Sequence, residues 1–294
     1  MIGVKKGIRA EEVRQQSQHV LFVEGRDANS VDPKVLNALF ENGIRIEPLG
    51  PSYSVKSVAE ALYPHHPTYY FLIDRDHHPD EFVDHCWGNF PNPATHNLLV
   101  WRRREIENYF LEPEYLFQSK YCQVSLDELK RQIVRFASER LFLDVANHVI
   151  TSIREELKRK WIEKFNNPAE FPDQGSALQK LKDESAFASH HARVGNAVSE
   201  GEIERRFVEY LSKMTGGNEP LTFGLGCWLH MTHGKKVLAQ VINSGCFRVQ
   251  ATDGELLTGG QKLGQVVRDL LQKDISTQPS DFQQLKQLIQ SRAT

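Results

Sequence analysis

Thr68–Asp76 reads TYYFLIDRD, and His19–Glu24 reads HVLFVE. Each is a run of apolar residues that ends in acid. A strand with one wet face alternates apolar and polar residues. A continuous apolar run of this length suits a strand covered on both faces. Between the two runs, Asp32-Pro33 caps and opens a helix with Leu36, Leu39 and Phe40 on one face and Gly43 at its end. Ile44–Leu49 is a further strand, closed by Gly50-Pro51. Ser54 caps the next helix, where Val55, Val58, Ala59 and Leu62 form a stripe stopped by Pro64. Asn97–Trp101 (NLLVW) is a fourth strand. Strands alternating with amphipathic helices predict an α/β core over 1–112, Rossmann-like, with a mainly parallel sheet flanked by helices.

The remainder reads as largely helical. Ser125-Leu-Asp-Glu128 is a capping-box pattern, followed by Leu126, Leu129, Ile133 and Phe136 at helical spacing. Residues 150–165 read as a charged helix, and 166–175, with Pro168 and Pro172, as a loop. A second capping box, Ser199-Glu-Gly-Glu202, precedes Ile203, Phe207 and Leu211, and Gly216-Gly217-Asn218 breaks the chain. A helix from about Lys235 to Ile242 follows, then a short strand near Phe247–Gln250 and two amphipathic helices. This predicts a helical domain over 113–220 and a C-terminal helical segment over 221–294 that packs back on the core and supplies Lys235.

The chain has 294 residues, with 36 Lys and Arg against 38 Asp and Glu, a net charge of −2. Bulk charge therefore does not drive it onto nucleic acid or an anionic membrane; any such contact is local. The sequence lacks an apolar run long enough for a membrane span. The first 20 residues lack the apolar centre of a secretory signal, so the expected location is cytoplasmic. The four cysteines stand far apart and form no CxxC pair, against a cysteine zinc site.

The acids at the strand ends carry the chemistry. In a parallel sheet Glu24, Asp74 and Asp76 share one edge, where ligands of open α/β folds bind. Converging carboxylates repel one another, and a hard divalent cation such as Mg2+, or Mn2+, takes oxygen ligands and removes the repulsion. The spacing Asp74-x-Asp76 places both side chains on one side of an extended segment. Such an ion activates water and stabilises charge on a phosphate in transfer.

Val23-Glu24-Gly25-Arg26-Asp27 resembles the VEGxxD signature of the TOPRIM fold, and Asp74-Arg75-Asp76 resembles its DxD motif. Gly50 stands where that fold commonly carries a glycine. Arg104-Glu105-Ile106-Glu107-Asn108-Tyr109 is similar to the IENY segment of OLD-like TOPRIM proteins that work beside an ABC-type ATPase. His233-Gly234-Lys235 is similar to their late lysine element. Together these resemble most the AriB family, the small stand-alone TOPRIM effectors of the PARIS anti-phage defence system. The resemblance covers about residues 15–112 well. It implies a Mg2+-dependent endonuclease with Glu24, Asp74, Asp76 and Glu107 as metal ligands and Lys235 in catalysis. It further implies a toxic effector restrained by a partner AAA/ABC-type ATPase, with transfer RNA as the target and a homodimer as the active form. DNA nicking in the OLD manner is the alternative, and a non-catalytic adaptor or sensor on an ATPase is another. OLD-type enzymes often carry an acid where this chain has Ala28, so one-metal chemistry and a second site built from Glu105 and Glu107 both stay open.

Substrate contacts are expected from Arg26, Arg75, Arg104 and Lys236, although the two arginines of the acidic motifs suit pairing with neighbouring acids equally well. His77 follows Asp76 directly, where it could enter a metal shell. Arg154, Lys158, Arg159, Lys160 and Lys164, with Trp161 among them, form a face suited to phosphate and base contact, diluted by Glu155, Glu156 and Glu163.

Overall fold

The computed structural model of the chain describes residues 19–293 apart from 29, 42, 63–64, 77, 93–96, 159–160, 163–164, 166, 171 and 253. The readings made for the first 18 residues and for Pro64, His77, Arg159, Lys160, Glu163 and Lys164 lie outside the described residues.

Four strands form one sheet in the order β2-β1-β3-β4: β1 Val20–Val23, β2 Arg45–Pro48, β3 Tyr69–Ile73 and β4 Leu98–Val100. All three pairings are parallel, with Val23 opposite both Pro48 and Leu72. Every residue of β1 and β3 is buried, as their continuous apolar runs require. β2 is an edge strand and only half-covered, and its Arg45 and Glu47 pair with each other. The chain moves from β1 outward to β2, then crosses to β3 on the other side of β1. The two central strands therefore flank a topological switch point, where connections diverge and where open α/β folds bind ligands beyond the C-terminal strand ends.

Helices α1 Val31–Leu39, α2 Ser52–Leu62 and α3 Asp80–Asn89 connect the strands. α1 buries Val35, Leu36 and Leu39, the stripe expected. It begins at Val31 with Ser30 in the cap position, so Asp32 lies in its first turn rather than capping it. Ser54 likewise lies inside α2. Trp87 of α3 donates from Nε1 to the Val100 carbonyl at 2.8 Å, tying α3 to the edge of the sheet.

After β4 comes a tight 3-10 segment, Ile106–Leu111, entirely buried. α4 Pro113–Leu116 and α5 Leu126–Ser138 follow, the latter begun by Ser125, whose Oγ accepts the Glu128 N–H at 3.2 Å. Four helices, α6 Leu141–Leu157, α7 Gln174–Lys182, α8 Ser185–Ala197 and α9 Glu200–Thr215, precede the short α10 Trp228–Met231. The chain ends with α11 Gly234–Asn243, α12 Gly259–Leu271 and α13 Ser280–Ala293. The strand expected near Phe247–Gln250 is reduced to single bridges, Cys122 with Phe247 and Gln250 with Leu256.

The chain divides into two compact units, 1–138 with 229–294, and 139–228. The cuts fall 26 residues beyond the expected boundary at 112 and 8 beyond that at 220. The reason is packing: α4 lies on the 3-10 segment and α5 on α11, with Leu129 and Ile133 of α5 fully buried. In the same unit α13 closes an aromatic cluster. The Phe282 ring lies 5.7 Å from that of Trp101 and 5.0 Å from that of Tyr109. Buried Asp281 accepts from Tyr109 Oη at 2.6 Å and from Arg102.

In the second unit, α9 packs on α6. Ser199 Oγ caps α9, and Gly216 ends it in the left-handed conformation at φ 64°. Arg206 of α9 pairs with Glu202 and with Glu156 of α6. The charged helix expected over 150–165 is the end of α6, which stops at Leu157. Trp161 stacks on His190 of α8 at 4.1 Å, which commits one face of the indole within the protein. Among the described residues no helix is long and apolar enough to cross a membrane.

Candidate active site at the strand ends

Glu24 and Asp74 follow the last residues of neighbouring strands, and the backbone joins them: the Asp74 N–H donates to Glu24 Oε1 at 2.9 Å. Directly after Glu24 the backbone is fixed by a glycine pair. Gly25 and Gly50 exchange N–H···O bonds of 3.0 and 2.7 Å. Gly25 stands at φ 143°, where a Cβ would also meet the Ser30 Cβ at 3.0 Å. Gly50 has space around it but stands at φ 95°, a backbone conformation that side-chain-bearing residues rarely adopt.

The acids around this point raise one another's proton affinity. Burial pushes the Asp74 carboxyl well above the usual range, and Asp32, Glu24, Glu107 and Glu105 add repulsion. Its Oδ1 is buried and accepts no hydrogen bond. Burial, then Glu107 and Glu24, push Asp32 up to about 8, against the pull of Lys235. Glu107 is raised by burial and by Glu105, again opposed by Lys235. Glu24 is raised by burial and by Asp76, although the Asp74 N–H and Lys56 pull the other way. Glu24, Asp32, Asp74 and Glu107 are thus linked by Coulombic repulsion, with two ammoniums near them: Lys56, which acts on Glu24, and Lys235, whose Nζ is 3.7 Å from Glu107 Oε1. Such a cluster binds protons when metal-free and favours added positive charge.

Asp32 is the member that sequence reading assigned elsewhere. An acid in the first turn of a helix is ordinary dipole chemistry, so its type and position carried no signal. What sets it apart is that α1 starts beside the end of β1, which only the three-dimensional arrangement shows.

Lys235 reaches the site through an interlock of two sequence motifs. Asn108 Nδ2 donates to the carbonyls of Leu229 and Thr232, both at 2.9 Å, and its Oδ1 accepts the Glu105 N–H at 3.2 Å. Gly234 opens α11 so close to Asn108 that a Cβ there would stand 2.5 Å from Asn108 Oδ1 and 2.8 Å from its backbone nitrogen. Glu105 Oε1 takes the Lys235 N–H at 2.9 Å and faces His233 Nδ1 at 2.7 Å. Burial alone would raise the Glu105 carboxyl, but these hydrogen bonds hold it below the usual range. Glu105 is thus an ionised anchor for the N-terminus of α11, while its neighbour Glu107 faces the lysine.

The remaining candidates sit differently. Asp76 is exposed and has the left-handed φ of 45°, so the alternation expected of an extended Asp74-x-Asp76 segment stops before it. It lies within Coulombic reach of Glu24. Arg75 is spent on the fold: it pairs with Asp80 and donates to the carbonyls of His78 and Arg102 at 3.2 and 2.9 Å. Arg104 ties its segment to α10, through its N–H to the His230 carbonyl at 2.8 Å and its guanidinium to the Met231 carbonyl at 3.2 Å. Arg26 and Lys236 are exposed.

The donor chemistry of Glu24, Asp32, Asp74 and Glu107, all oxygen, fits a hard divalent cation, and the buried Asp74 Oδ1 has no hydrogen-bond partner. The spacing is looser: among the described residues no three His, Cys, Asp or Glu side chains stand close enough to hold an ion together. No protein-family model and no curated protein matches the chain.

Proposed function

We propose that the protein is a Mg2+- or Mn2+-dependent phosphodiesterase of the TOPRIM type. The observation that carries this reading is the meeting of four mutually repelling carboxyls at the switch point of a parallel sheet, beside a positioned lysine. Glu24, Asp74 and Glu107 would supply the oxygen ligands by drawing together around the ion from their wider metal-free spacing, with Asp32 close by and Asp76 at the rim. A bound divalent ion there supplies charge neutralisation and Lewis-acid polarisation of a phosphodiester. Lys235 offers a compact positive charge to a phosphate oxygen. Glu107 orients that ammonium, and Glu105 with His233 holds the helix end that carries it.

Within this class the motif resemblance favours an endonuclease acting on RNA, transfer RNA first, as the toxic effector of an anti-phage defence system restrained by an ATPase. DNA nicking is the second substrate reading. A cleavage assay with Mg2+ and with chelator tests the class. Asp74→Asn and Glu24→Gln should each lower cleavage by about 100-fold or more while the protein stays folded. Undiminished cleavage by folded variants would remove these residues from the chemistry. A protein that never cleaves, yet binds its ATPase equally in chelator, would be an adaptor.

A further inference from the structure

Beside the carboxyl cluster lies a second feature that the phosphodiesterase reading does not use. A cleft of about 460 Å3 opens between α1 and α12. Val31 and Val35 of α1, Leu263, Val267 and Leu271 of α12, and Leu238 of α11 give it apolar walls. This volume is in the range of pockets that enclose a drug-sized molecule.

Two observations indicate what it holds. The first is Gly260 and Gly264, one turn apart on the cleft face of α12. A Cβ at either would meet nothing within 4 Å, so close packing between helices does not explain them. Inside the helix, at Gly264, a glycine costs about 1 kcal/mol relative to alanine, and here that cost keeps the cleft open. The second is charge. Lys34 and Arg268 stand exposed among the lining residues, and neither forms an ion pair among the described residues. The only acid in the lining is Glu107, already matched by Lys235.

We propose that this cleft binds a small amphipathic anion, with a medium-length acyl chain or similar apolar body between α1 and α12 and its acidic head at Lys34 and Arg268. Glu107 forms part of the wall, so an occupant touches the back of the candidate active site. The binding itself does not depend on the phosphodiesterase reading.

Isothermal titration of the full chain with decanoate, and with decanol as the uncharged match, tests the proposal without metal or nucleic acid. The expected result is saturable one-to-one binding of decanoate, weakened at least about tenfold by Gly264→Leu, which fills the cleft. The double variant Lys34→Gln, Arg268→Gln should weaken decanoate about fivefold and leave decanol unchanged. Gly260→Leu serves if Gly264→Leu does not fold. Absence of decanoate binding, or binding undiminished by the filling variant, overturns the site. Equal decanoate binding with and without the two cations overturns the anionic assignment.

Discussion

Asp32 shows how much one side chain's chemistry depends on its surroundings. Its carboxyl is pushed up to about 8, so the folded protein keeps a proton there that the unfolded chain releases near pH ~4. When the folded state binds more protons, stability falls as pH rises. The raised values of Glu24, Asp74 and Glu107 act in the same direction. The metal-free protein should therefore melt at progressively lower temperature from about pH 4 to about 8, with the Asp32 contribution fully lost above that. Asp32→Asn should flatten the profile, and a slope unchanged by it would assign the titration to the other acids. Lys235→Met should extend the loss to higher pH, because the ammonium holds down both Asp32 and Glu107. Glu24 and Asp74 were legible because each ends a continuous apolar run. Asp32 was not, since its motif position is that of any first-turn acid.

At the scale of elements, the interlock of the 3-10 segment with α11 decides whether the lysine reaches the acids. Gly234→Ala forces a methyl group into Asn108, including its backbone nitrogen, which no rotamer change relieves. The expected loss is about 1–3 kcal/mol in a denaturant melt, as for other overpacked sites. Asn108→Ala removes three hydrogen bonds that tie the 3-10 segment to the Leu229 and Thr232 carbonyls, a loss of about 3 kcal/mol. Either melt unchanged would show that the two segments hold each other by other contacts. Sequence order could name both motifs and give Lys235 a role. It could not show that Glu105 anchors a helix while Glu107 meets the lysine, since two acids two residues apart on an extended segment share a face. The tight 3-10 turn separates them.

For the molecule as a whole, the parallel core and its strand ends were readable because burial on two faces leaves a simple apolar signature. The unit boundaries were not, because amphipathic helices record that they are half-buried but not which neighbour covers them. α5 illustrates this: Leu129 and Ile133 mark an inward face, and only the fold shows that α11 lies against it. Replacing 139–228 with a flexible Gly/Ser linker should leave a unit that melts cooperatively, since the sheet, the carboxyl cluster and α11 all belong to it. Loss of a cooperative transition would mean the division at 138 and 228 does not separate independent cores.

That first unit is assembled from two stretches of chain, and the order of synthesis gives this arrangement a consequence. On the ribosome the four strands emerge early, but the lysine is made only at position 235. The helix that seals Trp101 and Tyr109 arrives later still, with Asp281 and Phe282. A nascent or prematurely terminated chain carries the acids without their cation or their cover.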